Sequence, residues 1–198
     1  MNDVLKALLS ELEIFGYEND AANNERPRRM LNITHDTGEF LAVWIRATQA
    51  QNILEIGTSN GYSTLWLAWA AQAIGGSVTT LEYSDYKIAL AKDNFQRAEL
   101  SEHIHQIHGD AGEFIQTAQS GTFDLIFLDS ERSEYLRWWP EIRRIVRNGG
   151  AVIVDNALSH QEEMADFMEM IRNDSDFTCC TVPVGNGEFV AVRDQFGS

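Results

Sequence analysis

Positive charge is scarce in this chain. It carries 15 Lys and Arg against 30 Asp and Glu, a formal net charge of −15. A phosphate backbone repels such a chain, which argues against nucleic acid as a partner unless a local basic patch exists. The nearest candidate, Arg26, Arg28 and Arg29 around Pro27, reads as a solvated loop or as salt-bridge partners. Cysteine is nearly absent: Cys179 and Cys180 are the only two, and they are adjacent. Strand neighbours point to opposite faces, so a disulfide between them would be strained, and no disulfide framework exists. That usage fits a reducing compartment. No run approaches the ~18 apolar residues that a membrane span needs. The opening MNDVLKALLSELEIF lacks a basic region followed by a long apolar run. It reads as an amphipathic helix with Val4, Leu5, Leu8, Leu9, Leu12 and Ile14 near one side. The expected location is the cytoplasm, with no membrane partner. Internal repeats and low-complexity segments are also missing.

What remains suffices for one domain with a full core. The 198 residues are 44% hydrophobic and 23% charged, ordinary proportions for a globular protein. The polar stretch 19–29 reads as a loop, setting an N-terminal helix and loop (1–29) before a domain over 30–198. Short apolar runs with strand character follow at 52–56, 77–82, 104–108, 123–129 and 151–155. Helical segments at 62–73, 85–98, 111–118 and 133–146 lie between them, and a fifth, 161–172, comes after. This alternation implies right-handed crossovers and a parallel sheet covered on both faces. Two last strand-like runs, 176–184 and 188–193, flank Gly185-Asn186-Gly187, a hairpin signal. The expected fold is α/β: a Rossmann-like, doubly wound, seven-stranded sheet, mostly parallel, with an antiparallel C-terminal strand and helices on both faces.

One further absence concerns chemistry. The stretch ILEIGTSNGYS has a strand running into a turn, but its glycines read G-x-x-x-G, whereas a dinucleotide loop reads G-x-G-x-x-G. In an open α/β sheet, ligands bind beyond the carboxyl ends of the strands, so Gly57–Gly61 faces that crevice. Gly57 permits a tight turn and Gly61 a close backbone approach. Glu82 closes the second strand, 21 residues past Gly61 (82 − 61), where a carboxylate accepts hydrogen bonds from ribose hydroxyls. Asp110 and Ala111 close the third, a place suited to reading an adenine edge; Asp110 equally suits an N-cap. Glu55 lies inside the apolar first strand and needs a partner, either a ligand ammonium or a network of backbone amides. S-adenosylmethionine has an ammonium, a ribose and an adenine but no pyrophosphate, which accounts for the missing glycine.

The fourth and fifth strands end in FDLIFLD and GGAVIVDN, and the 26 residues from Asp129 to Asp155 (155 − 129) suit strand, helix, strand. If these strands are neighbours their ends lie ~5 Å apart, and Asp129, Asp155 and Asn156 converge. Two carboxylates and an amide are hard ligands, suited to Mg²⁺, Mn²⁺ or Ca²⁺ rather than zinc. His103, His105 and His108 lack a cysteine or carboxylate cluster to complete a zinc site. Trp138 and Trp139, before Pro140, read as packing or subunit contact rather than a substrate platform.

The motifs LNITHDTG (31–38), LEIGTSNGYS (54–63), TLEY (80–83), HGDA (108–111), FDLIFLDSERSEY (123–135), VDNALSH (154–160) and VPVGNGEFVAV (182–192) occur in register. Together they resemble the class I S-adenosylmethionine-dependent O-methyltransferases, specifically the cation-dependent catechol and caffeoyl-CoA group with its small bacterial relatives. The resemblance runs from about residue 30 to 193. It implies that Ile33 approaches the cofactor through its backbone. Glu55 would meet the methionine ammonium, with Gly57, Thr58 and Ser63 around the methionine end. Glu82 would bind the ribose, and Asp110 and Ala111 would lie at the adenine. Asp129, which also serves the cofactor and the chemistry, would hold Mg²⁺ with Asp155 and Asn156, and the acceptor would be a small hydroxylated aromatic. A homodimer is also implied. One position departs from the pattern: where the family usually has a lysine general base, three residues after the first metal aspartate, this chain has Arg132. A guanidinium is always protonated and is a poor base, though it stabilises a phenolate. His160 is the other candidate to assist, or else a surface residue at a helix start. The competing readings are a metal-independent methyltransferase, a weakly active S-adenosylmethionine-binding protein and a nicotinamide-dependent oxidoreductase.

Overall fold

In the computed structural model, which describes residues 1–195, seven strands build one sheet. In chain order they are β1 (Asn52–Ile56), β2 (Ser77–Glu82), β3 (Ile104–His108), β4 (Phe123–Leu128), β5 (Val146–Val154), β6 (Phe177–Val182) and β7 (Glu188–Arg193). The helices among the described residues are α1 (Asp3–Ala22), α2 (His35–Thr48), α3 (Tyr62–Gln72), α4 (Asp85–Arg97), α5 (Ala111–Thr117), α6 (Tyr135–Ile145) and α7 (Gln161–Arg172). Positions 196–198 of the expected domain lie outside the described residues.

The strand order is β3-β2-β1-β4-β5-β7-β6. The first five strands run parallel, and β7 pairs antiparallel with both β5 and β6. The antiparallel strand therefore slots between β5 and β6 rather than closing the edge. From β1 the chain builds outward to β3, then returns to lay β4 on the other side of β1. That reversal opens a crevice at the carboxyl ends of β1 and β4.

Strand alternation divides the apolar residues between two cores. Ile53, Leu125, Phe127, Ile153 and Val190 pack with α1, α2, α3 and part of α4. Leu54, Ile126, Leu128, Val152, Val154 and Phe189 pack with α5, α6 and α7. Continuing the same alternation puts Glu55, Asp129, Asp155 and Glu188 on the α1–α4 face. Four acidic side chains thus share one side of the sheet.

Several boundaries differ from the sequence expectation. Helix α1 runs through Ala22, absorbing the first part of the expected 19–29 loop. Its buried stripe is Leu5, Leu8, Leu9 and Leu12, whereas Val4 and Ile14 fall outside it at 59% and 61% exposure. Helix α2 was not anticipated: its first turn is polar, and the apolar stripe of Leu41, Ala42 and Ile45 begins only later. Thr34 caps it, accepting from the Thr37 N–H at 3.4 Å. Helix α6 starts at Tyr135, after a 3₁₀ turn over Arg132–Glu134. Strand β5 starts at Val146 rather than at 151, passing through Gly149 and Gly150. Asp129 and Asp155 each sit one residue past a strand end. Trp138 and Trp139 are both buried, and Trp139 stacks against Phe177 at 5.0 Å and Phe167 at 5.8 Å.

Candidate active site

A cavity of about 1200 Å³ lies beyond the carboxyl ends of β1 to β5. Its floor is the β1 turn. Gly57 has φ +111°, and a Cβ there would collide with the Asp129 carbonyl, so the glycine lets the ends of β1 and β4 close together. Gly61 has φ +88°, and its missing Cβ makes room for the Phe95 ring of α4, 2.5 Å from where that carbon would be. The second glycine is thus a packing requirement, not the ligand approach expected from the sequence. Helix α3, which it starts, is buried along almost its whole length.

Glu55 is fully buried and lies behind the cavity wall rather than on it. Its carboxylate accepts from Ser63 Oγ at 2.5 Å, Thr64 Oγ1 at 2.5 Å and Thr80 Oγ1 at 2.6 Å. Burial outweighs those donors and pushes its carboxyl up to about 7. Ser63 lies between it and the cavity, and Thr58, bonded to Thr80 at 2.6 Å, stands beside them. Glu55 therefore meets a network of hydroxyls, and its reach toward a ligand is through Ser63.

Glu82 lines the cavity and is held by backbone. Ser59 N–H donates to Oε2 at 2.8 Å, and Tyr83 and Ser84 N–H donate to Oε1 at 3.0 Å each. Asp110 caps α5, accepting from Glu113 N–H at 2.9 Å, and also lines the cavity next to Ala111. The two uses foreseen for Asp110 are compatible in space. Ile33 is buried in the opposite wall. Its segment is fastened by Asp20, which accepts from Met30 N–H at 2.6 Å and Leu31 N–H at 2.8 Å. Ser59 Oγ completes the fastening by donating to the Met30 carbonyl at 2.7 Å.

At the other end β4 and β5 are neighbours, with Leu128 opposite Val154, and Asp129, Asp155 and Asn156 converge as expected. The Asn156 amide lies 2.8 Å from Asp155 Oδ2 and 3.5 Å from Asp129 Oδ1. Asn156 adopts φ +70°, the left-handed region that asparagine enters more readily than most residues with a side chain. Burial, then the Asp155 charge, hold the Asp129 carboxyl well above the usual carboxylate range. Burial raises Asp155 as well. Arg132 opposes both shifts, but its Nε is engaged 2.8 Å from Glu163 on α7. His160 lines the cavity and pairs with Ser159 at 2.9 Å.

Sequence reasoning missed the supports of this end. Glu188, the first residue of β7, is fully buried and accepts from Thr37 Oγ1 at 2.9 Å. Burial and the neighbouring Asp155 push its carboxyl up to about 10, which favours its protonated form, and Glu188 Oε2 and Asp155 Oδ1 are both buried without a hydrogen-bond partner. The available signal was an acidic residue opening the apolar run EFVAV. The hairpin turn holds the loop after Asn156, since Gly187 O accepts from Ala157 N–H at 2.8 Å and Asn186 O from Leu158 and Ser159 N–H. Tyr135 OH accepts from Ser130 N–H at 2.8 Å, holding the loop after Asp129. No local pattern marks either contact, because both form between distant elements.

A crevice of this kind, with acidic residues at four strand ends, on a seven-stranded sheet whose C-terminal strand is antiparallel, defines a class. The sequence pattern of the O-methyltransferase family matches residues 8–194, and the chain belongs to that family. It is 37% identical over 142 residues to a catechol O-methyltransferase of Mycobacterium tuberculosis, covering 70% of this chain and 61% of that protein. Its identity with a catechol O-methyltransferase of Niastella koreensis is 34% over 155 residues, 74% of this chain and 70% of the other. Among solved structures, the Bacillus cereus O-methyltransferase in complex with SAH is similar with a TM-score of 0.79 and 26% identity, over 98% of this chain and 92% of that one.

Proposed function

We propose that the chain transfers the methyl group of S-adenosylmethionine to a hydroxyl of a small catechol-like acceptor, assisted by a divalent cation. The observation that carries the reading is the shared cavity: the amide-anchored Glu82 and the pair Asp129–Asp155 open into the same space. The catechol O-methyltransferase names of the relatives support the acceptor class, and the SAH complex of the Bacillus cereus neighbour supports the cofactor.

Glu82 receives the ribose hydroxyls. Its own amide donors keep it oriented, so binding orders nothing further at that point. Asp110 and Ala111 face the adenine, and Gly57, Thr58 and Ser63 face the methionine end, with Glu55 positioning Ser63. Ile33 closes this side from the opposite wall. The donor set Asp129, Asp155 and Asn156 fits a hard cation. Two crowded carboxylates have raised proton affinity, the Asn156 side-chain amide donates to both, and Asp155 Oδ1 is buried without a partner. Turning that amide over would present its oxygen to the same point, since the two ends of an amide are nearly equivalent in shape. A bound divalent cation supplies positive charge that favours the acceptor oxyanion. Methyl transfer is an in-line displacement: the acceptor oxygen forms the new bond to carbon, the carbon–sulfur bond breaks, and sulfur keeps the electron pair as a neutral thioether. Alignment does most of that work. Arg132 contributes charge, not proton abstraction, and His160 stands at the rim as the group able to take a proton.

Arg132 and Lys87 both bring positive charge toward Asp129, which favours a second reading in which they replace the cation. Methyl transfer from labelled S-adenosylmethionine to catechols, with and without EDTA, separates the two. Activity lost in EDTA and restored by Mg²⁺ supports the cation reading; full activity in EDTA refutes it. We also propose that residues 1–29 form one wall of the acceptor space of a single domain, because Glu13, Asp20 and Arg26 line the cavity.

A further inference from the structure

The cations on the cavity wall differ in what faces them. Arg132 is paired with Glu163 at 2.8 Å, and Arg26 lies 3.9 Å from Glu131. Lys87 is compensated by the nearby charges of Glu82, Asp20 and Asp129. Arg29 has no ion-pair or hydrogen-bond partner for its guanidinium among the described residues, and its Nε is buried without an acceptor. Glu13, Asp20, Glu82, Asp129 and Asp155 also line this cavity, yet none of them pairs with Arg29.

The backbone that carries it is pinned on both sides. Asn19 Nδ2 donates to the Arg28 carbonyl at 2.9 Å, Arg29 N–H donates to the Arg26 carbonyl at 3.1 Å, and Met30 is held through both its N–H and its carbonyl. The Arg26–Glu131 approach sets this segment beside the loop that follows Asp129. An acceptor lying between them has the Asp129–Asp155 pair to one side and an unpartnered guanidinium on a fixed backbone to the other. A guanidinium fork matches a carboxylate in shape as well as charge.

We infer that Arg29 binds a carboxylate within the cavity, and that the acceptor it selects is a catechol carrying a carboxylate on its ring or side chain. The inference rests on the proposed methyl transfer and names its substrate class. The cofactor's own carboxylate is the other source of the same chemistry, and the test separates the two. The wild type, Arg29→Met and Arg29→Lys are compared for kcat/KM on 3,4-dihydroxybenzoate and on unsubstituted catechol, and for SAH affinity by calorimetry. Methionine keeps the apolar stem, and lysine keeps the charge without the fork. The expected result is a fall in the benzoate-to-catechol ratio of about 10- to 100-fold in Arg29→Met, the scale of a charged hydrogen-bonded pair, with a smaller fall in Arg29→Lys. An unchanged ratio overturns the inference, and so does a loss of SAH affinity with the ratio intact, which would assign Arg29 to the cofactor. Failure of the wild type to methylate either compound counts against the proposed reaction. In that event calorimetry with 3,4-dihydroxybenzoate decides the inference: binding that depends on Arg29 sustains it, and binding that does not overturns it.

Discussion

Glu82 and Asp129 stand at the ends of β2 and β4, one strand to either side of β1, and both open into the same cavity. The chain treats them differently. Glu82 receives three backbone N–H groups. Asp129 receives a single long contact from the Asn156 amide and faces a second carboxylate, Asp155. Behind the first stands Glu55 with three hydroxyl donors; behind the second stands Glu188, a carboxyl that burial and Asp155 hold toward its protonated form. The β1–β2 side is completed by the protein alone. The β4–β5 side crowds two carboxyls that the protein supplies with few donors, and this difference is what the proposed reaction requires of a cofactor end and a metal end.

The largest expected effect removes that difference at its source. Asp155→Ala should lower turnover on a catechol by about 10²- to 10⁴-fold, the several kcal/mol that a cation contributes, while SAH affinity stays close to wild type. Stopped assays and calorimetry on the same preparations check it; equal losses in both would mean that the two ends are not separable.

Next in size is the pH response of Glu55. Its folded carboxyl is raised from 4.5 to about 7, so its contribution to stability is full below 4.5 and is lost as pH rises through about 7. Glu55→Gln removes that loss. Relative to wild type it should gain about 3 kcal/mol between pH 4 and pH 8, read from urea unfolding at each pH. Parallel pH profiles for the two proteins would show that the hydroxyl network keeps Glu55 ionised throughout.

A smaller effect is expected at Glu82. Glu82→Gln should weaken SAH about 10- to 100-fold, as loss of a charged acceptor does, without altering the response to Mg²⁺. A weakened cation response in that variant would break the proposed division of labour.

Much of this arrangement was readable from local pattern. The strand–helix alternation, the position of Glu82 after Gly61 and the aspartates at 129 and 155 all depend on spacing within one or two elements. What escaped depended on contacts between distant ones. Helix α2 has a polar first turn and an apolar stripe visible only once α3 and the sheet are in place. Glu55 was read as seeking a ligand ammonium or backbone amides, because the hydroxyls of Ser63, Thr64 and Thr80 converge on it only after folding. Gly61 looked like room for a ligand, and the room belongs to Phe95. Thr37 and Glu188 are 151 residues apart, and no periodicity links them.

The unbalanced charge at Asp129 and Asp155 is tested most directly by thermal unfolding without cofactor or acceptor. Wild type and Asp155→Asn would be compared in EDTA and in Mg²⁺ or Mn²⁺. The account predicts that a hundredfold excess of cation over its Kd raises the wild-type Tm by about 5–10 °C. It also predicts that Asp155→Asn, with one of the two facing charges removed, is more stable than wild type in EDTA and does not respond to the cation. A wild type indifferent to both cations, together with an Asp155→Asn that is less stable in EDTA, would contradict it.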